Sequence, residues 1–505
     1  MFRALFISGL YVSGGVILGR IAGFVREIIL ASTFGISAQA DMAVLVLTVP
    51  DLFSGILIGG AMSAAFVPFF RQQTGRHGFK LWMQASSWIG LVFVAMTAVL
   101  SLGVSGVIQL FAPGIAADFT SSLAGLLQIS LWSIPLTALS GLCGAYLQAK
   151  NRFFLTASGT LIINLVLITS LLSYTKSPHL LWVLSLAILL GALLRWLAQS
   201  LQIICLPLAA SDNSMVIRSA LDRRIIMRYC QAMAGGSMLI LLPFIARSLA
   251  SFQGDGAIAS FNYAIKLMDL PYAIGLASFG VVLLPKLSDL FKHTHTKSQA
   301  IKIAQQGLSM MWILSLSFTI VSFWFAEPLV KIVYGWGRLT SKNLLDIALL
   351  FKWGMLGLPA LGLNTLLTAV FNAQEDTRTP FLIYLFSFLL FLPTAYLLRQ
   401  SLGLLGIMFA LAGINSLIVL LQFYFLDYYY KLALWRVMIS FNFIKIVLMQ
   451  LLIFTPMAYL SIILGSSIWA MLVLAIISGI LLLLSGTLAV SQYRQIFFKR
   501  IGTFL

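Results

Sequence analysis

The chain has 505 residues, of which 60% are hydrophobic and 9% charged, and its mean hydropathy is +1.01. A soluble domain carries about 25% charge, so this composition excludes a soluble protein and assigns an all-α polytopic membrane protein with no soluble domain. The +18 net charge is spread over many short polar stretches, which speaks against a nucleic-acid partner and for contact with anionic lipid headgroups.

Apolar runs of about 20 residues between polar breaks predict about 14 transmembrane helices. The first run follows Met1-Phe2-Arg3 and has no small-residue cleavage site, so it reads as a retained helix rather than a signal peptide. Spans 1 to 4 are expected near 5–34, 41–69, 82–111 and 121–147, and spans 5 to 8 near 155–173, 180–208, 227–250 and 257–285. Spans 9 to 12 are expected near 306–326, 345–371, 380–398 and 403–427, and spans 13 and 14 near 442–464 and 467–489. With both termini in the cytoplasm, the inner loops carry Arg71, Arg76, Lys80, Lys150, Arg152, Arg218, Arg223, Arg224 and Arg228, followed by Lys286, Lys292, Lys297, Lys302, Arg378, Lys431 and Arg436. Arg494, Lys499 and Arg500 follow in the tail, whereas the outer loops hold only Lys176, Lys331, Arg338, Lys342 and Arg399. That asymmetry is what the positive-inside rule requires.

The chain also repeats itself. Leu30-Ala31-Ser32-Thr33-Phe34-Gly35 is echoed by Leu249-Ala250-Ser251-Phe252-Gln253-Gly254, and Val49-Pro50-Asp51-Leu52 by Met268-Asp269-Leu270-Pro271. Phe66-Val67-Pro68 matches Leu283-Leu284-Pro285, and Gln148-Ala149-Lys150-Asn151-Arg152 matches Ala373-Gln374-Glu375-Asp376-Thr377-Arg378. The nearly constant offset predicts two six-helix lobes, 1–210 and 220–430, in parallel repeat, a class whose substrate site lies between the halves. Two C-terminal helices (440–490) and a basic cytoplasmic tail (491–505) stand outside the repeat.

Charges inside apolar spans are the candidate functional residues, because even a lenient scale puts a central charge at roughly 2.5–3.5 kcal/mol. They are Arg20, Arg26, Asp41 and Asp51 in the first two spans, and Lys266 and Asp269 in the eighth. Cations there suit an anionic substrate. Arg20 and Arg26 lie about 240° apart on a straight helix and share a face only if it bends, as Gly19 and Gly23 would allow. The structural alternative pairs Arg26 with Glu27 or Asp41, and Lys266 with Asp269. Arg195, Lys352 and Lys445 sit nearer helix ends and read as snorkelling cations. His77, His179, His293 and His295 fall in loops or at helix edges, and Cys143, Cys205 and Cys230 lack metal-ligand spacing, so no metal or cofactor is expected and no catalytic constellation is present.

The stretch Leu18-Gly19-Arg20-Ile21-Ala22-Gly23-Phe24-Val25-Arg26-Glu27, with Phe34-Gly35, Ala40-Asp41, Pro50, Gly60-Ala61 and Ala65-Phe66-Val67-Pro68, resembles the opening of the MurJ (MviN) family of lipid II flippases in the MOP superfamily. The resemblance continues in Tyr263-Ala264-Ile265-Lys266-Leu267-Met268, Tyr334-Gly335, Gly337, Thr340 and Asp376-Thr377-Arg378-Thr379-Pro380. It implies two six-helix lobes around a cavity, with Arg20, Arg26 and Lys266 near a substrate pyrophosphate and Asp41 in the same cavity. Glu27, Asp51 and Asp269 would be their charge partners, and the last two helices a groove for the lipid tail. Where the family carries two arginines and a glutamate, this chain has Ser54, Gly55 and Gly59, and Lys266 replaces an arginine without its bidentate fork.

The leading expectation is therefore a flippase that carries a polyprenyl-pyrophosphate-linked saccharide, lipid II foremost, across the bacterial cytoplasmic membrane by alternating access, with membrane lipids around it. Cell-wall synthesis proteins are partners that the resemblance allows. The alternatives are a flippase for another lipid-linked glycan, of O-antigen or exopolysaccharide type, and a MATE-like cation-coupled drug exporter. Spans 7, 11 and 12 offer no carboxylate before Asp427. A hard cation usually needs one, so coupling to the membrane potential rather than to sodium is expected.

Overall fold

The computed structural model describes residues 2–72, 75–206, 223–292, 294–463 and 467–489. The predicted basic tail at 491–505, together with Arg218 and His293, lies outside the described residues. In chain order the first half contains α1 (Phe2–Phe34), α2 (Ala38–Leu57), α3 (Gly59–Arg71), α4 (Gly75–Leu102), α5 (Val104–Phe111), α6 (Ala117–Leu131), α7 (Ser133–Ala149), α8 (Phe154–Ala157), α9 (Gly159–Ser173) and α10 (Leu180–Ile204). The second contains α11 (Arg223–Ala250), α12 (Ala257–Pro271), α13 (Ala277–Phe291), α14 (Lys297–Trp324), α15 (Ala326–Tyr334), α16 (Ser341–Gly354), α17 (Leu358–Ala373), α18 (Arg378–Leu402) and α19 (Leu404–Tyr430). Then come α20 (Arg436–Ile439), α21 (Phe441–Ile463) and α22 (Ile468–Ala489). The described residues form helices and no strands, and 10 helical stretches are long and apolar enough to cross a membrane. Gly159–Ser173 and Ile240–Gln253 are apolar but shorter. The outer faces are apolar too: Leu102 is 89% exposed and Leu452 74%, as hydrocarbon-facing side chains must be. This is a multi-pass membrane protein.

The internal repeat reappears as matched interruptions. α4 gives way to α5 at Gly103, and α14 to α15 at Phe325; α6 gives way to α7 at Trp132, and α16 to α17 through a 3₁₀ turn at Met355–Gly357. The α2–α3 step at Ile58 has its counterpart in the π-helical segment Tyr272–Leu276 between α12 and α13. Even the turns agree. Asn151 (φ 58°) and Glu375 (φ 59°) are both left-handed, and Arg152 and Asp376 donate their N–H groups to the carbonyls of Leu147 and Phe371. This is the helix ending in which a left-handed residue satisfies otherwise unpaired carbonyls. The helix α15, which the apolar pattern leaves as a connector, belongs to this series as the partner of α5.

The chain divides into two compact units, residues 1–262 and 263–505. In the first, α11 packs on α2 and α3, α10 on α7 and α9, and α1 on α9, so the compact division falls inside α12 and differs from the division of the repeat. The wall of this unit is α2, buried continuously from Ala40 through Pro50. In the second unit α17 packs on α13, α14 and α19, while α14 carries α22 and α21. There Tyr334 donates its hydroxyl to the Tyr263 carbonyl at 3.1 Å, both rings being fully buried.

Candidate functional site

The first unit is organised around one face of α1. Gly15, Gly19 and Gly23 recur at every fourth position, and a Cβ at each would lie 3.1 Å from Ala157 Cβ, 3.3 Å from Thr160 Cβ and 3.2 Å from Asn164 Nδ2 respectively. Small residues at this spacing let two intramembrane backbones approach closely. Gly19 and Gly23 therefore have a packing role: α1 runs through both as one helix, and α9 lies against it.

That approach delivers Asn164 to the charges. Its Nδ2 donates to the Gly19 carbonyl at 3.1 Å, and its Oδ1 accepts from Arg26 Nη1 at 3.2 Å. Arg26 Nη2 donates to Glu27 Oε1 at 2.6 Å, and Glu27 Oε2 accepts from Asn262 Nδ2 at 3.3 Å. Arg26 and Glu27 are both buried, at 9% and 2% exposure. The Nε of Arg26 is also buried and meets no hydrogen-bond partner among the described residues. One donor of a fixed five-donor fork is thus held in reserve beside an ion pair that can exchange.

The remaining predicted residues have different surroundings. Arg20 is exposed, six positions from the buried Arg26, so the two do not share one environment. Asp51 is exposed, and its charge reaches Arg26. Asp41 does not pair with Arg26: its two oxygens accept the backbone N–H groups of Gly256 and Ala259, each at 2.7 Å. Gly256 immediately precedes α12 and Ala259 lies in its first turn, where unpaired N–H groups and the helix dipole favour a carboxylate. Gly256 is obligatory in this joint. Its φ is +81°, and a Cβ there would fall 2.3 Å from Ile36 Cγ2. In the second unit, Lys266 is half-buried and Asp269 exposed, and they form no ion pair among the described residues. Ser54 and Gly55 line a separate cavity, together with Arg195.

Buried polar residues that the sequence did not single out include Asn164, Asn262 and Arg247, the last lying 5.0 Å from the Phe244 ring centre. A lone amide in an apolar run leaves no periodic signal, although burying one without partners costs about 1–3 kcal/mol and could have marked it.

Long apolar helices, broken at matched positions in two halves and holding a buried ion pair, define a multi-pass transporter. Among solved structures the fold is similar to one described as lipid II flippase MurJ in an inward closed conformation, with a TM-score of 0.76 and 20% identity over 97% of this chain and 99% of that one. It is also similar to an inward-facing MATE multidrug transporter of the MOP superfamily, with a TM-score of 0.65 and 13% identity over 83% of this chain and 96% of that one. The family model described as lipid II flippase MurJ matches residues 30–483. The chain belongs to the MurJ family. Relatives include the lipid II flippase MurJ of Burkholderia cenocepacia, 26% identical over 83% of each chain, and the probable lipid II flippase MurJ of Rhizobium tropici, 29% identical over 73% of this chain and 70% of that one.

Proposed function

We propose that this protein flips lipid II, a polyprenyl-pyrophosphate-linked saccharide, from the inner to the outer leaflet of a bacterial cytoplasmic membrane by alternating access. The observation that carries the proposal is the family match across residues 30–483. Arg26 supports it: a guanidinium matches two phosphate oxygens at once, and this one keeps an unbonded Nε next to an exchangeable partner. On arrival of the pyrophosphate, Arg26 would trade Glu27 for phosphate oxygens, with Arg20 adding charge; Lys266 is the candidate substrate-binding cation of the second unit. The loop cations support a cytoplasmic position for both termini, and cell-wall synthesis proteins are the partners that would supply and consume the substrate.

The deciding experiment is depletion of the protein in its own host. Lipid II should accumulate, and purified protein in liposomes should move a lipid-linked pyrophosphate. Arg26→Lys, which keeps the charge and loses the fork, should express normally and transport poorly. Normal lipid II turnover in depleted cells, together with uptake of organic cations by the liposomes, would instead assign a drug exporter.

A further inference from the structure

The first unit contains a second polar cavity, of about 280 Å³, lined by Ser54, Ser63, Thr137, Gln148, Thr156 and Arg195 among others. Four of its lining elements, α2, α3, α7 and α10, are apolar helices, yet side-chain hydroxyls, one amide and one guanidinium converge on it. Gly55, Gly141 and Gly144 also line it and leave the space open. Its size is near the lower end of the ~300–1,000 Å³ typical of small-molecule sites. A glycosyl phosphate or a pyrophosphate fits such a volume, and a complete saccharide–peptide headgroup does not.

Arg195 is what makes the cavity unusual. Its Nε is buried without a hydrogen-bond partner among the described residues. A Cβ on Gly159 would lie 2.6 Å from Nε and 3.2 Å from Cδ and Cζ of Arg195. The guanidinium therefore rests on the first residue of α9, which lacks a side chain there. That end of a helix carries about half a positive charge. A cation set beside it with a spare donor favours an anion on the cavity side of the guanidinium. Arg195 forms no ion pair among the described residues. Thr137 and Ser140 donate their hydroxyls to the Ser133 carbonyl and Gln199 Oε1, but Thr156 Oγ1 is buried without a hydrogen-bond partner among the described residues and is a neutral donor an oxyanion could use; among the described residues no carboxylate side chain lines the cavity.

We propose that the Arg195 cavity is an anion subsite, separate from the Arg26 cluster, that takes a phosphate or pyrophosphate group. The group comes either from the headgroup end of a lipid-linked substrate or from a free inorganic ion. Ser54 and Gly55 belong to this subsite, and Arg195 is its cation. The proposal rests on the anionic substrate class advanced above, while the residues it depends on are different ones.

The test is titration of the full-length protein in detergent with sodium pyrophosphate and, in parallel, with a short-chain polyprenyl pyrophosphate, read as affinity. Wild type, Arg195→Gln, Arg195→Lys, Ser54→Leu and Arg26→Gln are compared, each first shown to be monodisperse. Arg195→Gln should weaken binding of at least one probe tenfold or more, Arg195→Lys should restore part of it, and Ser54→Leu should weaken it by filling the space. Loss with both probes assigns a site that a free ion can occupy, and loss with the lipid probe alone assigns a substrate subsite. Unchanged affinity for both probes in Arg195→Gln and Ser54→Leu overturns the subsite. If Arg26→Gln alone abolishes binding, the subsite fails while the flippase reading stands. If only the Arg195 and Ser54 variants lose it, the subsite holds and the role given to Arg26 fails.

Discussion

Replacing Asn164 by Ala removes two hydrogen bonds of different kinds, and their separate sizes can be worked out from the structure. The bond to the Gly19 carbonyl, at 3.1 Å, is neutral and intramembrane, a class worth about 0.6 kcal/mol on average. The bond from Arg26 Nη1, at 3.2 Å, is charge-assisted, a class worth about 1.5–3 kcal/mol. Asn164→Ala should therefore cost about 2–3.5 kcal/mol. In an Arg26→Met background only the Gly19 bond remains to be lost, so the same change should cost under about 1 kcal/mol, which leaves a coupling of roughly 1.5–2.5 kcal/mol. Cys143 is buried, whereas Cys205 and Cys230 are exposed, so with the latter two changed to Ser a thiol-reactive dye reports unfolding of the first unit on heating in detergent. Melting curves of the four proteins complete the cycle. Additivity within about 0.5 kcal/mol would refute the claim that Asn164 holds Arg26, and would reduce the amide to a spacer between α1 and α9.

Asp376 accepts the Thr379 N–H at 2.9 Å and the Tyr430 hydroxyl at 3.0 Å; partial burial acts to raise its pKa, but these bonds prevail and hold it below the ordinary carboxylate value. A depressed folded pKa contributes stability that is present above the unfolded value, near 3.9, and is lost as pH falls through the folded one, so melting temperature should drop on acidification below about pH 4 and Asp376→Asn should flatten that limb. Gln450 donates to Ser317 Oγ at 2.8 Å and reaches the Ile313 and Leu482 carbonyls at 3.4 Å, tying α21 to α14 and α22; Gln450→Leu should cost about 1–2 kcal/mol, seen as a lower melting temperature. Collapse of the membrane potential, worth about 2.3 kcal/mol per charge per 100 mV, should stop transport in liposomes, while removal of sodium leaves it unchanged; strict sodium dependence with indifference to potential would refute this.

Elements whose cause is local were legible in the sequence. The apolar runs became helices, and the echo between 148–152 and 373–378 became a matched turn, because Asn151 and Glu375 terminate helices through their own backbone conformation. The cavity at Ser54 and Gly55 was legible only as a loss of side chains. What stayed hidden depends on partners far along the chain. Arg26 and Asn164 are 138 residues apart, and Asp41 is 215 residues from Gly256. Glycines 19 and 23 were visible, but whether a glycine bends a helix or admits a neighbour is decided by what packs on it, here Thr160 and Asn164. The setting of Arg195 was hidden for a related reason: only the approach of Gly159 shows where the guanidinium rests.

The Arg26–Glu27 pair has a property that its sequence neighbours alone would not supply. Adjacent residues on a helix point about 100° apart and do not face each other, so each side chain must be steered sideways to meet the other. Asn164 from α9 does this for Arg26, and Asn262 from α12 does it for Glu27. The pair is thereby conditional on both helices, and a shift of either would release a buried guanidinium to seek another anion. Glu27 then acts as a competitor that keeps the site closed to chance anions. Glu27→Gln removes the competing charge and keeps one acceptor, the amide oxygen, for Arg26, while its NH2 group faces Asn262, whose Oδ1 has no hydrogen-bond partner among the described residues and can accept once that amide turns. It should raise affinity for pyrophosphate several-fold while slowing turnover, because the substrate would leave a site that no longer re-forms its internal pair. Arg26→Lys in the same background should reverse the gain in affinity. If Glu27→Gln weakens pyrophosphate binding, Glu27 orients Arg26 for the substrate instead of competing with it, and the exchange argument is wrong.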